Sequence, residues 1–383
     1  MEDPPAQGRA GGGRAEWLGA LRGGLLRRGW CEDRGSADVP VGARGGVTVW
    51  RLRPRVPLVL LSGATPGKFY HSHPHVPSEF DELDFDMASQ VRANLTTIRK
   101  IGANVGDHAS ELPFAWPPAW GTAAGAKAPG APPPPPYLRT PLILHWVSNR
   151  GAGFEANRAE LDRTAAGVLR ELGMDAPTGL GTYETGGNVS DRRFLLETFA
   201  AFGLDGACGG EAGDAPPSGH EDGVGGWGWG WGGSGSCSVR IDIKAEFDPS
   251  VFMPYVAAYA VSGPCDLALF SVTAASGEDT APLGGQAQVE QLLEKLGAVL
   301  KALGASFDDV VLAWNRVADL DRNEEAVLMT RARKGLDRPL AESVLEIAES
   351  DPNERARDGT PVLVEYIVAA AVPRRGQGAR RSS

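Results

Sequence analysis

The sequence predicts an α+β protein in which one pattern of strands and helices occurs twice. Apolar residues recur every three or four positions from Gln90 to Gly106 and from Gln288 to Gly304, so each stretch predicts an amphipathic helix. Each helix is expected to end at its glycine, which suits a left-handed C-cap. Short apolar strands flank both helices at matching places. The chain is therefore expected to hold two copies of one unit.

Within each copy the predicted order is strand, helix, strand, helix, strand. The first strands cover 58–63 and 267–272, the second strands 142–147 and 310–314, the second helices 154–172 and 322–336, and the last strands 194–199 and 362–367. Each last strand is apolar except for one acid, Glu197 or Glu365. A carboxylate at the same place in two apolar strands is a candidate general base, and a structural ion pair is the alternative.

Changes in amino-acid composition along the chain predict its domain boundaries. We expect a variable, disordered extension at 1–46 with a short helix over 17–28, a first domain at 47–202, a Gly- and Trp-rich linker at 203–238, a second domain at 239–372 and a basic tail at 373–383. The first domain contains a proline-rich insertion at 113–141. Its unbroken proline run, 132–136, favours polyproline structure or disorder over a packed core.

Charge and cysteine usage narrow the class of protein. A net charge of -10 disfavours nonspecific nucleic-acid binding, and no apolar run is long enough to span a membrane. Acidic residues near the N-terminus argue against an organellar presequence, so a cytoplasmic protein is expected and an organelle stays open. The four widely spaced cysteines indicate neither a zinc motif nor a disulfide framework.

The order of these features resembles the RidA/YjgF family, also called endoribonuclease L-PSP-like, in a tandem two-domain form. The marks are Ser62-Gly63, Gln90 to Gly106 and Leu196-Glu197 in the first copy, and Ser271, Gln288 to Gly304, Asp308-Asp309-Val310 and Val364-Glu365 in the second. The resemblance implies a twisted mixed sheet packed by two helices on one face, as in trimeric chorismate mutase. It also implies a homotrimer with ligand clefts between subunits.

The family's best-known activity is hydrolysis of reactive enamines and imines to keto acids and ammonia, without a cofactor. By resemblance, Glu197 and Glu365 are the catalytic candidates, and Ser62, Gly63 and Ser271 border the substrate. The family's substrate-binding arginine lies in a Pro-x-Arg stretch before the last strand. The corresponding residues here are Gly179 and Ala341, so Arg92 and Arg338 are the candidates to replace it.

Three histidines at alternate positions, His71, His73 and His75, form a second local signal. In an extended segment these side chains share a face, which suits zinc, but Pro74 and Pro77 favour a loop. An ordered loop with backbone hydrogen bonds is one alternative. In the other, His71 and His73 contact an anionic ligand at the cleft. We therefore expect substrate binding by these two histidines and no metal.

Three functions remain open from the sequence. The first is a deaminase-like hydrolase that acts on an imine, an enamine or a related small carboxylate. The second is a non-catalytic homologue that binds a small molecule or a partner protein, which the missing arginines favour. The third is a protein related to chorismatases or to tandem diphthamide-synthesis proteins. It is disfavoured because neither an ATP-using domain nor an arginine-rich stretch is visible.

Overall fold

The computed structural model describes residues 14–41, 46–61, 63–66, 81, 83–107, 141–174, 181–188, 191–203, 238–243, 255–261, 265–274, 285–320, 323, 342–347 and 364–374. The helices in these segments are α1 (Arg14–Arg27), α2 (Met87–Asp107), α3 (Phe154–Glu171) and α4 (Gly285–Ala302). The strands are β1 (Cys31–Pro40), β2 (Gly46–Pro54), β3 (Leu58–Leu61), β4 (Leu142–Ser148), β5 (Gly181–Thr185), β6 (Gly187–Asn188), β7 (Leu196–Gly203), β8 (Ser238–Ile243), β9 (Tyr255–Val261), β10 (Cys265–Thr273), β11 (Val310–Val317), β12 (Glu342–Glu346) and β13 (Val364–Pro373).

The strands form two mixed sheets with corresponding orders. The first sheet runs β5-β4-β7-β3-β9-β8, and the second runs β12-β11-β13-β10-β2-β1 with β6 added beside β12. The pairs β4–β5 and β11–β12 are parallel, and the other pairs are antiparallel. The predicted α+β class with mixed sheets is confirmed.

The N-terminal hairpin of each sheet comes from the other half of the chain. β2 leads directly into β3 but pairs with β10, and β9 leads directly into β10 but pairs with β3. Leu52 is thus opposite Leu267, while Leu58 is opposite Val261. Each sheet is completed by a hairpin that is distant in sequence, which links the two halves through backbone hydrogen bonds.

The two sheets pack face to face, and helices cover their outer faces. The inner core joins residues of both sheets, among them Leu144, Phe199, Trp314 and Ile367. On the outer face of the first sheet lie α2 and α3, with Leu95 and Leu161 in its core. α4 covers the outer face of the second sheet. Alternate residues of each strand therefore face either a helix or the opposite sheet.

The N-terminal extension is more ordered than the sequence predicts. The short helix expected over 17–28 is present as α1, and residues 31–40 form β1. Trp17, Leu21 and Trp30 are fully buried in the inner core. A Cβ atom on Gly203, at the end of β7, would clash with the Trp30 ring. The composition was misleading because most residues of this segment, such as glycine and arginine, are typical of disordered chains. A few large apolar side chains are buried, and their burial offsets the conformational entropy that the segment loses when it folds.

The helix ends confirm one predicted cap and correct the other. Gly304 follows α4 with φ of 75°, as a left-handed C-cap requires. α2 instead continues through Gly106 to Asp107. Of the second helix predicted at 322–336, the structure describes only Asn323, which is helical. The insertion at 113–140 and the linker interior lie outside the described residues. The division into domains stays a prediction.

The structure describes two of the four cysteines, and they differ in bonding state. Cys265, at the start of β10, is disulfide-bonded, a bond that the spacing of the cysteines did not indicate. Wide spacing did not exclude a bond because spatial approach, and not sequence separation, decides pairing. Cys31 is a buried free thiol whose pKa burial raises to about 12. No described helix is both long and apolar enough to cross a membrane.

Candidate functional site

A buried ion pair joins the two central strands of the second sheet. Arg316 on β11 lies directly opposite Glu365 on β13, and Arg316 Nη1 donates to Glu365 Oε2 at 2.9 Å. Only 3% of the arginine side chain and 2% of the glutamate side chain are exposed. Both residues alternate with inner-core residues along their strands, so both side chains face the first sheet.

The first sheet contributes the other side of the cluster. The guanidinium carbon of Arg316 lies 5.6 Å from the centre of the Trp146 ring, within cation–π range. Trp146 on β4 lies directly opposite the buried Glu197 on β7, which alternates with Phe199 on the inner face. Glu197, Trp146, Arg316 and Glu365 therefore form one group between the sheets, which we call the inter-sheet cluster.

The electrostatics of this cluster are unusual for a protein interior. Two carboxylates and one guanidinium give a formal charge of -1 when all three are ionised. Burial of charge is costly unless it is paired, and removal of one partner from a buried pair costs about 3–5 kcal/mol. Arg316 is thus needed to keep Glu365 in place.

Aromatic rings surround the cluster on the side of α1. Trp17 contacts Trp146 with ring centres 6.1 Å apart and Trp314 with centres 4.0 Å apart. Tyr183 lies 5.3 Å from Trp146. The indole N–H groups of Trp17, Trp146 and Trp314 are buried and have no hydrogen-bond partner in the described segments. Buried donors without acceptors are destabilising and mark a place where acceptor atoms of a ligand would be favourable.

Two of the predicted substrate-binding residues lie at strand ends near the cluster. Ser271 is half-buried on β10 and lies opposite Ile367, two residues from Glu365. Thr273, which the sequence analysis did not select, is directly opposite Glu365. Gly63 is half-buried just after β3. Strand alternation puts Ser271 and Thr273 on the inner face together with Leu269.

The structure separates Arg92 from the cluster. Arg92 lies on α2, across the first sheet from Glu197, and donates to Glu171 of α3 at 2.6 Å. Both side chains are more than half exposed. Arg92 is therefore a surface residue outside the inter-sheet cluster, and its role as a substrate-binding group stays a prediction. Ser62, His71, His73 and Arg338 lie outside the described residues, as do Gly179 and Ala341.

Sequence reasoning missed Arg316 and Trp146. Both strands were predicted, but the second was ended at Trp314, two residues before the arginine. A signal was present, since an arginine within an apolar strand is seldom buried without a partner. The identity of that partner could not be read from the sequence because it depends on the register between β11 and β13.

A second buried polar group lies on the helix-covered face of the first sheet. His145 Nδ1 and Thr198 Oγ1 are 3.0 Å apart, and Asn94 Nδ2 donates to the same hydroxyl at 3.2 Å. Burial lowers the pKa of His145 to about 3, so the imidazole is neutral near pH 7. In the described part of the chain, no group of three or more His, Cys, Asp or Glu residues could hold a metal ion.

The fold and the cluster define an α+β protein with a buried carboxylate–guanidinium site between two sheets. No protein-family model matches the chain, and no curated protein matches it. Among solved structures, it is similar to Rv2704 from Mycobacterium tuberculosis, a member of the YjgF/YER057c/UK114 family. The identity is 25%, over 35% of this chain and 99% of that chain, with a TM-score of 0.22.

Two further structures show the same range of similarity. The YjgF gene product of E. coli is 21% identical over 27% of this chain and 80% of its own, with a TM-score of 0.23. Yeast YEO7 is 19% identical over 29% of this chain and 86% of its own, also with a TM-score of 0.23. Each of these structures is matched over about a third of this chain. At such TM-scores the fold class rests on the strands and helices described above.

Proposed function

We propose that this chain is a RidA/YjgF-like protein that hydrolyses reactive imines or enamines of small carboxylic acids at the inter-sheet cluster. The observation that carries the proposal is the buried Arg316–Glu365 pair, with a nitrogen–oxygen distance of 2.9 Å. It supplies an arginine beside the strand glutamate, although the arginine expected from the resemblance is absent at Gly179 and Ala341.

In this proposal Arg316 binds the carboxylate of the substrate. A guanidinium has five N–H donors in a planar fork and can hold two carboxylates at once. Glu365 fixes the guanidinium from the neighbouring strand, and Trp146 supports it from the opposite sheet. Glu365 therefore acts as a positioning residue, and Arg316 contacts the substrate.

Glu197 is the proposed water-orienting carboxylate. It accepts a proton from water as the water oxygen bonds to the imine carbon, and the C=N electron pair moves to nitrogen. Transfer of this proton and then of the hydroxyl proton to nitrogen, with cleavage of the C–N bond, gives a keto acid and ammonia. Unpaired indole donors near the cluster would favour the partial negative charge that develops on the imine nitrogen.

A non-catalytic binding protein is the second candidate, and the burial of the cluster favours it. With Arg316, Glu365 and Glu197 each no more than 4% exposed, the three charges also fit a structural ion-pair group. In that case the inter-sheet cluster fixes the packing of the sheets, and the protein binds its ligand without turnover.

An assay on freshly generated 2-aminoacrylate and 2-iminobutyrate distinguishes the two candidates. We expect keto-acid and ammonia release above the spontaneous rate, and a loss of about 100-fold or more for Glu197→Gln. Arg92→Gln is the matched control and should retain full activity because Arg92 lies on the surface of α2. No acceleration by the folded wild-type protein, or equal rates for wild type and Glu197→Gln, would overturn the hydrolase proposal.

A further inference from the structure

One strand of each sheet depends on a hairpin from the opposite half of the chain. The first body, which we define as 58–203, is extended at β3 by β9 and β8, and the second body, 265–373, is extended at β10 by β2 and β1. All four residues of β3 are buried, and all four are paired with β9. An uncovered β3 would expose these apolar residues and a row of backbone N–H and C=O groups.

The hairpins supply core residues as well as backbone bonds. Tyr259 and Val261 of β9 belong to the inner core, and Ala260 of the same strand belongs to the outer core of the first sheet. In the second sheet, Val49 of β2 packs in the outer core and Leu52 packs in the inner core. Each of these side chains is at most 1% exposed. Each body therefore needs a hairpin to complete its core.

The connection between β2 and β3 disfavours a return of the first hairpin to its own half. Only residues 55–57 join the two strands, with Pro54 before them and Pro57 at their end. Proline has a fixed φ and no N–H to donate, which suits a ladder between consecutive strands poorly. The N–H of Arg55 is bonded to the Trp30 carbonyl at 2.8 Å. Short hinges of this kind favour exchange of an element with a second copy.

The ends of the segment that joins the two halves lie in one row across the first sheet. Gly203, at the end of β7, pairs with Leu58, which pairs in turn with Val261. Val261 also pairs with Ser238, at the start of β8. Three strand spacings thus separate Gly203 from Ser238, which is about 15 Å. The segment 204–237 is several times longer than this span requires, because about five extended residues would cover it.

We propose that the hairpins and the inner faces form a chain-exchange interface whose partner is a second copy of this chain. In the exchanged form, the first half of one copy packs with the second half of the other, and the remaining halves do the same. This closed two-fold assembly repeats every contact between the halves of a single copy. Segment 204–237 keeps the two halves of one copy close together, so the single-copy form is favoured in dilute solution.

The exchange would divide the inter-sheet cluster between two chains. Glu197 and Trp146 belong to the first half, whereas Arg316 and Glu365 belong to the second. In the exchanged form each cluster therefore takes two residues from one copy and two from the other.

A shorter connection tests the interface. Deletion of 205–236 leaves two residues between Gly203 and Ser238, which reach about 11 Å at most and do not cover the span. We expect this variant to have twice the mass of the wild type by light scattering. Deletion of 209–233 is the matched control, since the residues that remain cover the span, and it should keep the wild-type mass. All samples contain a reductant because Cys265 is disulfide-bonded.

A cross-link between the halves distinguishes the exchanged form from a side-by-side dimer. Arg150 in the first half pairs with Glu346 in the second at 2.9 Å. In Arg150→Lys, a carbodiimide should join the new amine to Glu346. Refolded mixtures of ¹⁴N and ¹⁵N chains should give links of mixed label in the shortened protein and of single label in the control. A wild-type mass for the shortened protein, or a doubled mass with single-label links alone, would overturn the proposal.

A cut in the full-length chain gives a second measurement if the shortened variant aggregates. A protease site placed at 218–220 allows the connection to be cut while both halves are present. We expect the two pieces to elute together and to melt in one transition, and refolded ¹⁴N and ¹⁵N proteins to exchange pieces. Pieces that separate and melt independently would overturn the interface. Neither test measures turnover, so this proposal and the imine hydrolysis can fail separately.

Discussion

Glu197 and Glu365 occupy the same place in the two sheets but have different neighbours. Each lies on the strand between the second and first strands of its unit, and each faces the opposite sheet. The residue opposite Glu197 is Trp146, whereas the residue opposite Glu365 is Arg316. Arg316 bonds to Glu365 in its own sheet and lies over the ring of Trp146, the strand partner of Glu197, in the other sheet. Two strands at matching places in the two sheets thus contribute a charged half, with Arg316, and an aromatic half, with Trp146, to a single cluster.

The comparison extends to the outer faces. The neighbour of Trp146, His145, contacts Thr198 and is buried on the helix-covered face of the first sheet. The neighbour of Arg316 is Asn315, whose strand partner is Tyr366. The first sheet therefore has a titratable group where the second has an amide. The difference predicts that the two sheets respond differently to mutation and to pH.

Removal of the charged half should have the largest effect. Arg316→Met leaves Glu365 buried without its 2.9 Å partner, and we expect a loss of about 3–5 kcal/mol in the free energy of unfolding, read from urea denaturation. Arg316→Met with Glu365→Leu should recover much of that loss, because apolar residues can replace a buried pair. A double variant as unstable as the single one would show that the charge pair is not the cause.

The His145 difference should appear as acid sensitivity. Because burial lowers its pKa to about 3 from an unfolded value of about 6.5, the unfolded chain binds the extra proton between these values. Stability from this group is complete above about pH 6.5 and falls as the pH falls towards 3, by about 2 kcal/mol at pH 5. His145→Asn, which copies position 315, should reduce this loss in urea titrations at pH 7 and pH 5. Parallel losses in both proteins would contradict the assignment.

A smaller effect is expected in the aromatic half. Trp146→Phe retains an aromatic face for Arg316 and removes a buried indole N–H that has no partner in the described segments. The free energy of unfolding should change by less than about 1.5 kcal/mol, as in a near-conservative core replacement. A loss as large as that of Arg316→Met would indicate an essential acceptor for the indole.

Arg92→Gln should have the smallest effect of all. Its ion pair with Glu171 is exposed and screened by solvent, so the melting temperature should stay within experimental error of the wild type. Activity should stay the same as well. A reduced rate with unchanged stability would instead support Arg92 as a substrate-binding residue, as the sequence suggested.

The sequence by itself determined the local elements and two of the cluster's four residues. Short apolar runs predicted the main strands. Amphipathic patterns predicted the helices α2, α3 and α4, because side-chain burial in a helix repeats with its backbone geometry. Glu197 and Glu365 were found because an acid in an apolar strand is visible without any partner. The resemblance to a known family added expectations about substrate, trimer formation and the histidine-containing loop, and these stay predictions.

Only the tertiary structure decided which elements meet. The exchange of hairpins between the sheets left no trace in the sequence, since backbone hydrogen bonds carry no residue-specific signal. The pairing of Arg316 with Glu365 depends on register, and the contact of Arg316 with Trp146 depends on the packing of one sheet on the other. Such contacts are non-local, whereas periodicity reports local burial. The cluster therefore exists only once both sheets have been assembled from both halves of the chain.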